Sequence, residues 1–315
     1  MFHRLMLAAA AVCLAATAHA QNIGIAVSNP GSLYHSIGTA VAKVANEAGL
    51  ATTIQPATAP TQYIPVVGSG DIEIGLCNMQ ELREALLGES FFSGRANPNL
   101  RMVGVLFPLR NGVWVRKDSP YKTVSDLKGK PVASGYTAQK TVYQVLKAVL
   151  ATEGMTTSDI REVPVPSVVA AADALASGKV ESFVFAVGAA KVREVDAAVG
   201  GLRSLPLTNN EKTLKAMREH FPAAYFFHQM PGPAAPGIHE PTWVLAYPAV
   251  VFASSKTPDE VVYKLTKILA ENKEGMQKIF PPFGMFDAAK MYADAGPIQY
   301  HPGAVKFYKE KGLIK

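Results

Sequence analysis

The sequence predicts an α/β protein made of two lobes joined by a hinge of two crossing strands. Short apolar strands alternate with one-sided apolar helices along most of the chain. This alternation falls into two blocks, the second starting afresh near Lys122. Between the blocks lie two strand segments, 107–116 and 242–253, each leading into a polar turn, RKDSP in one and SSKTP in the other. At 315 residues the chain is also near the length where one core tends to divide in two.

Residues 1–20 read as a secretory leader. His3 and Arg4 open it, 5–16 is apolar, and Ala18-His19-Ala20 forms a small-residue cleavage site before Gln21. Cys13 invites a lipid-anchor reading, but Val12 before it is a poor fit to the small residue such a site needs. No later apolar run approaches the roughly 18 residues that a membrane-spanning helix requires. Beyond the leader, a strand at 22–27 leads through the loop SNPGSLYHS to a helix. Ile37, Val41, Val44, Ala45 and Ala48 line one face of it, and Gly49 ends it. Residues 52–55 read as strand, 64–67 as a short helix with Pro65 near its start, and 72–76 as strand feeding the helix NMQELREALLG. A strand at 101–107 is expected to break at Pro108, with another at 113–116.

The second block opens with a helical turn at 124–127, a strand at 131–133, and the small polar run Ser134-Gly135-Tyr136-Thr137 entering a helix at 137–150. Such a strand-to-helix junction gathers free backbone N–H groups and a positive dipole end at one place, an anion site in principle. Helix follows at 168–175, strand at 180–185, helix in GAAKVREVDAAVGG, strand at 203–206 and helix at 210–219. QMPGPAAPGIHEP is a loop by composition. After the strand at 242–253, Thr257-Pro258-Asp259-Glu260 predicts a helix capped by Thr257, and the last helix spans 302–312. The hinge divides the chain into lobe 1, residues 21–112 and 246–315, and lobe 2, residues 113–245, with the ligand site in the cleft between them.

Composition narrows the function. The formal net charge is +6, but the basic residues are scattered and form no run that would track a nucleic-acid backbone. Cys77 is the one cysteine outside the leader, so it has no internal disulfide partner, and it ends the apolar run IEIGLC as a buried small side chain. GxSxG, HExxH, Walker A and GxGxxG motifs are missing. Two SxxK matches, Ser119 to Lys122 and Ser125 to Lys128, lack a KTG companion. His35, His220, His228, His239 and His301 show no metal-ligand spacing. No catalytic residue, cofactor or metal is expected.

Several stretches, taken in order, resemble the TAXI group of periplasmic solute-binding proteins, which serve tripartite ATP-independent (TRAP) transporters. They are GSLYHSIGTAVAKVANE, GSGDIEIGLCN, FPLRNGVWVRKDSPYKTVSDLKGKPVASG, VPVPSVVAAADALASGKVESFVFAVGAAKVREV, TPDEVVYKLTKILAENKE and YHPGAVKFYKEKGL. The resemblance implies a type II periplasmic-binding-protein fold, a periplasmic location, a TRAP membrane permease as partner, and a small ligand, often a carboxylate. The first loop departs from the commoner GGTYYPIG pattern, reading GSLYHSIG. A ligand-sensing partner of a membrane receptor and an exported small-molecule enzyme on the same fold are the alternatives.

Four loops are expected to face the cleft. The first offers Ser28, Gly31, Ser32, Tyr34 and His35, although Ser32 or Ser36 suits a plain helix cap equally. Asn78 stands at a strand end, as ligand contact or as cap. Gly135, Tyr136, Thr137, Gln139 and Lys140 supply a ring, a hydroxyl, an amide and a cation beside free N–H groups, although Thr137 suits a helix cap, Tyr136 packing on a neighbour and Lys140 a solvated position equally. Ala186 and Gly188 enter another helix, where the glycine permits close backbone approach to a ligand or a plain tight turn. Arg110, at the hinge, carries a fork suited to a carboxylate or to an interlobe ion pair. Trp114 and Trp243 lie on the crossing strands and suit core packing.

Overall fold

The computed structural model describes residues 22–314; the leader expected at 1–20, with Cys13, lies outside them. The first block folds as β1 (Ile23–Ser28), α1 (Leu33–Glu47), β2 (Thr52–Ala57), α2 (Pro60–Ser69), β3 (Ile74–Asn78) and α3 (Met79–Leu87). A long strand, β4 (Leu100–Arg116), leads into the second block. That block holds β5 (Pro131–Ser134), α4 (Lys140–Ala151), β6 (Arg161–Pro164), α5 (Val168–Ala176), β7 (Phe183–Ala186), α6 (Ala190–Ala198), β8 (Leu202–Leu205), α7 (Glu211–His220) and β9 (Tyr225–Gln229). The chain returns along β10 (Thr242–Ser254) and ends with α8 (Asp259–Glu271), α9 (Lys273–Ile279) and α10 (Pro302–Glu310).

Every residue of β1 and β3 is buried, as expected of parallel strands covered on both faces. The main sheet runs β2-β1-β3-β10-β4-β7, with β8 also on β4 and β9 on β10. β3 pairs with β10 only from Ala249 onward, and β9 only up to Ala246. On β4, β7 begins at Asn111 and β8 at Val113. Between these flanks, Tyr247 and Pro248 of β10 pair with Leu109 and Pro108 of β4 and nothing else joins the ladder. The sheet narrows there to two strands. Such a waist lets the lobes move against each other at little cost in broken pairing.

This waist corrects the expected break at Pro108. A proline removes one donor from a strand, which matters only where a partner needs it. Pro108 faces Pro248 in the register, at the place where the flanking strands stop, so β4 continues through it.

Three other expectations shift. α2 starts at Pro60, earlier than 64, so Pro65 falls inside it on an exposed face. α4 starts at Lys140, because Thr137 and Ala138 give their N–H groups to Val165 and Pro166 carbonyls instead of entering the helix. Thr257 does not cap α8: its hydroxyl donates to the Glu73 carbonyl at 3.0 Å, and Pro258 precedes the helix without a side-chain cap. β6 and β9 are strands the sequence reading missed. Cys77 is buried, as expected. Among the described residues, no helix is long and apolar enough to cross a membrane.

Candidate functional site

The carboxyl ends of β1 and β3 point to the waist, and across it lie the loops that open α4, α5 and α6. A cavity of about 70 Å³ sits between them. Its wall takes residues from the amino ends of five helices: Ser32 and Tyr34 at α1, Pro60 and Thr61 at α2, Asn78 and Glu81 at α3, Gln139 to Val142 at α4, and Val168 at α5. Leu109, Asn111 and Tyr247 from the crossing strands, Ser28 from β1, and Phe185 and Ala186 from β7 also line it. Helix amino ends carry partial positive charge and free N–H groups, so their convergence favours a negative group on a ligand.

Seven of the expected residues line this cavity: Ser28, Ser32, Tyr34, Asn78, Gln139, Lys140 and Ala186. Two of them also cap helices. Ser32 Oγ accepts from His35 N–H, and Asn78 Oδ1 accepts from Glu81 N–H at 2.8 Å. Asn78 Nδ2 donates to Glu81 Oε2 at 2.5 Å, so Asn78 fixes Glu81 as well as facing the cavity.

The other seven stand elsewhere. Tyr136 is fully buried, its hydroxyl accepting from Val184 N–H. Arg110 also lies outside the cavity wall. Alternation along β4 turns Leu109 and Asn111 to the cavity and Arg110 to the opposite face. There Arg110 Nη1 donates to Gln229 at 2.5 Å, and the guanidinium lies 6.0 Å from the Phe227 ring centre. Burial without a carboxylate partner lowers its pKa to about 10. Gly135 and Thr137 line a separate depression with Phe91 and Tyr143, and His35 and Gly188 another with Arg193 and Glu194. Gly188 has φ +85°, and a Cβ there would press on the Ala234 carbonyl, so a tight turn and loop packing account for it. Gly31 contributes its carbonyl to Lys191 N–H. Trp114 is core, and Trp243 stacks on His228 with ring centres 4.5 Å apart.

Glu81, Asn111, Thr141 and Tyr247 are cavity residues that the sequence reading did not single out. Glu81 is 2 % exposed, and burial raises its pKa to about 7 against the lowering effects of Thr141 and Asn78. A signal for Glu81 existed: it stands three residues after the strand-end Asn78, so a cap there brings its carboxyl back over the strand end. Three polar atoms of the wall complete no hydrogen bond: Tyr34 Oη, Asn111 Nδ2 and Thr141 Oγ1. Thr141 points toward Glu81 and Asn111 lies beside Tyr247, in each case without closing the bond. Buried polar groups ordinarily find partners, so these atoms are poised for something that enters.

Gln139 joins the lobes. Its Nε2 donates to the Thr58 carbonyl at 2.8 Å and to Asn29 Oδ1 at 3.3 Å, while its Oε1 accepts from Val168 N–H. Gln139→Ala removes both donations across the cleft. At about 1 kcal/mol each, the loss is expected to shift the closed-to-open ratio roughly tenfold or more. Small-angle X-ray scattering of the ligand-free variant should show a larger radius of gyration than the parent; an unchanged radius would mean that Gln139 does not hold the lobes together.

A model of the NMT1-like family matches residues 25–312. Among solved structures, one described as a periplasmic transporter aligns with a TM-score of 0.58 at 15 % identity over 93 % of each chain. The alkanesulfonate-binding protein of Xanthomonas axonopodis pv. citri, bound to MOPS, gives 0.51 at 17 % identity, covering 93 % of this chain and 94 % of that one. A TctC solute-binding protein from Polaromonas gives 0.50 at 16 %, covering 93 % and 97 %. At these identities the likeness is one of fold: the chain has the α/β, two-lobed fold of periplasmic binding proteins. With nearly the whole described chain matched, the protein belongs to the NMT1-like family.

Proposed function

We propose that the protein is a periplasmic solute-binding protein of the TAXI type, which captures a small carboxylate-bearing ligand between its lobes and delivers it to a TRAP membrane permease. The leader read at 1–20 would direct export. The lobe bounds read from the sequence, 112/113 and 245/246, fall a few residues from the waist at Pro108/Leu109 and Tyr247/Pro248.

The observation that carries this reading is the cavity at the waist. It is walled by both lobes, lies under five helix amino ends, and contains donors that await an acceptor. A ligand carboxylate would be received by Asn111 Nδ2, the Tyr34 hydroxyl and the helix ends, with Arg110 taking no part. Because such a ligand touches both lobes at once, it binds the closed form more tightly than the open form and shifts the equilibrium toward closure. The closed form would be the one that docks on the permease. Names of the solved relatives, solute-binding and sulfonate-binding, support capture without turnover.

The test is a thermal-shift screen of small carboxylates, amino acids and neutral solutes on protein refolded free of carried-over ligand. A saturable rise with carboxylates is expected, since a ligand that binds only the folded state stabilises it. No rise with any class, or chemical conversion of a bound solute, would overturn the reading.

A further inference from the structure

We infer that Glu81 selects the charge of the ligand: the solute held at the waist carries a protonated nitrogen that pairs with the Glu81 carboxylate. This rests on the solute-binding reading above and adds a second charged group to the ligand.

The carboxyl lines the cavity and is almost wholly buried. Asn78 Nδ2 holds one oxygen, Oε2, and Thr141 lies close by. The ionisable groups that act on it or that it acts on are Glu84 on its own helix, Tyr34 on α1, Tyr63 on α2, Cys77 on β3 and Tyr247 on β10. All are acids. Arg83, two residues along the same helix, pairs with Glu89 at 2.5 Å. Lys140 also lines the cavity, yet its Nζ lies over the Phe91 ring, 5.8 Å from the centre. Arg110 sits on the far face of β4, bonded to Gln229.

A buried carboxylate without a cation is costly, and a cation brought by the ligand relieves that cost. The open donors Asn111 Nδ2 and Tyr34 Oη then remain for the ligand's acceptor end. The cavity thus offers an acid and a set of donors to one small molecule.

Isothermal titration at pH 8, where Glu81 is ionised, tests the pairing with three matched pairs of solutes: butyrate and 4-aminobutyrate, valerate and 5-aminovalerate, hexanoate and 6-aminohexanoate. The amino member of the best-bound pair is expected to bind at least tenfold more tightly. Glu81→Gln should remove that preference while keeping the bond to Asn78, and Glu81→Asp should keep part of it. Equal binding within each pair, or a preference that survives Glu81→Gln, would overturn the inference and leave the solute-binding reading standing. Binding that tightens as pH falls from 8 to 5.5 would also overturn it, because a protonated Glu81 would then be donating to a ligand acid. If none of the six solutes binds, the inference falls; if the broader screen is silent too, the solute-binding reading falls with it.

Discussion

Trp114→Ala is expected to remove about 3–5 kcal/mol of folding stability, the usual range for deleting a fully buried aromatic side chain. Trp114 has no exposed surface. Its Nε1 donates to the Phe185 carbonyl at 2.9 Å, tying β4 to β7. The ring fills space that only glycine leaves open. A Cβ on Gly112 would lie 2.6 Å from Cε2, and one on Gly237 would lie 2.6 Å from Cζ3. Alanine would leave a cavity between rigid backbones and take the indole donor away from the Phe185 carbonyl. Thermal unfolding followed by circular dichroism should show a midpoint lowered by roughly 6–20 °C, at about 2–4 °C per kcal/mol for a chain of this size class. Trp114→Phe should lose less, since it keeps most of the ring volume and forfeits the hydrogen bond. A loss under about 1 kcal/mol for Trp114→Ala would show that the loop carrying Gly237 collapses into the space.

The elements that were legible in the sequence are those whose signal is local. β1 and β3 are short apolar runs between turn residues, and α1 announces itself by one apolar face and Gly49. β6 could not be read this way: its residues are mostly exposed, and it is a strand because β5 pairs with it. Continuity of β4 through Pro108 depends on where β3, β7 and β9 stop, which is settled by register and leaves no local trace.

The same division holds at the site. Loops at strand ends were readable as a class, and Ser28, Ser32, Tyr34, Asn78, Gln139, Lys140 and Ala186 do meet at one cavity. Which residue of β4 faces it was not readable. A shift of one position exchanges Arg110 for Asn111, and the sequence favours the arginine on chemistry alone. Thr141 and Tyr247 face the cavity only through the packing of α4 and the pairing of β10, both long-range consequences of the fold.

Glu81 also predicts how stability depends on pH. In the unfolded chain its carboxyl ionises near 4.5, whereas in the folded protein burial holds the proton on until about pH 7. Between those values the folded state binds more protons than the unfolded state. Raising the pH therefore favours unfolding, and the contribution present below pH 4.5 is lost as pH rises through 7. At about 1.4 kcal/mol per pKa unit, the ligand-free protein is expected to lose on the order of 3 kcal/mol from this group across the interval. Glu84, whose pKa burial also raises, acts in the same direction. Urea unfolding at pH 4.5, 6 and 8 measures the slope, and Glu81→Gln should flatten it while leaving the acid side unchanged. A slope identical in parent and variant would mean that water or a neighbouring group already compensates the carboxylate. The physical consequence reaches function, because above pH 7 the empty cavity contains an uncompensated buried charge. A ligand cation that neutralises it would recover the lost stability on binding, so the thermal shift from an amino-bearing solute should be larger at pH 8 than at pH 5.5.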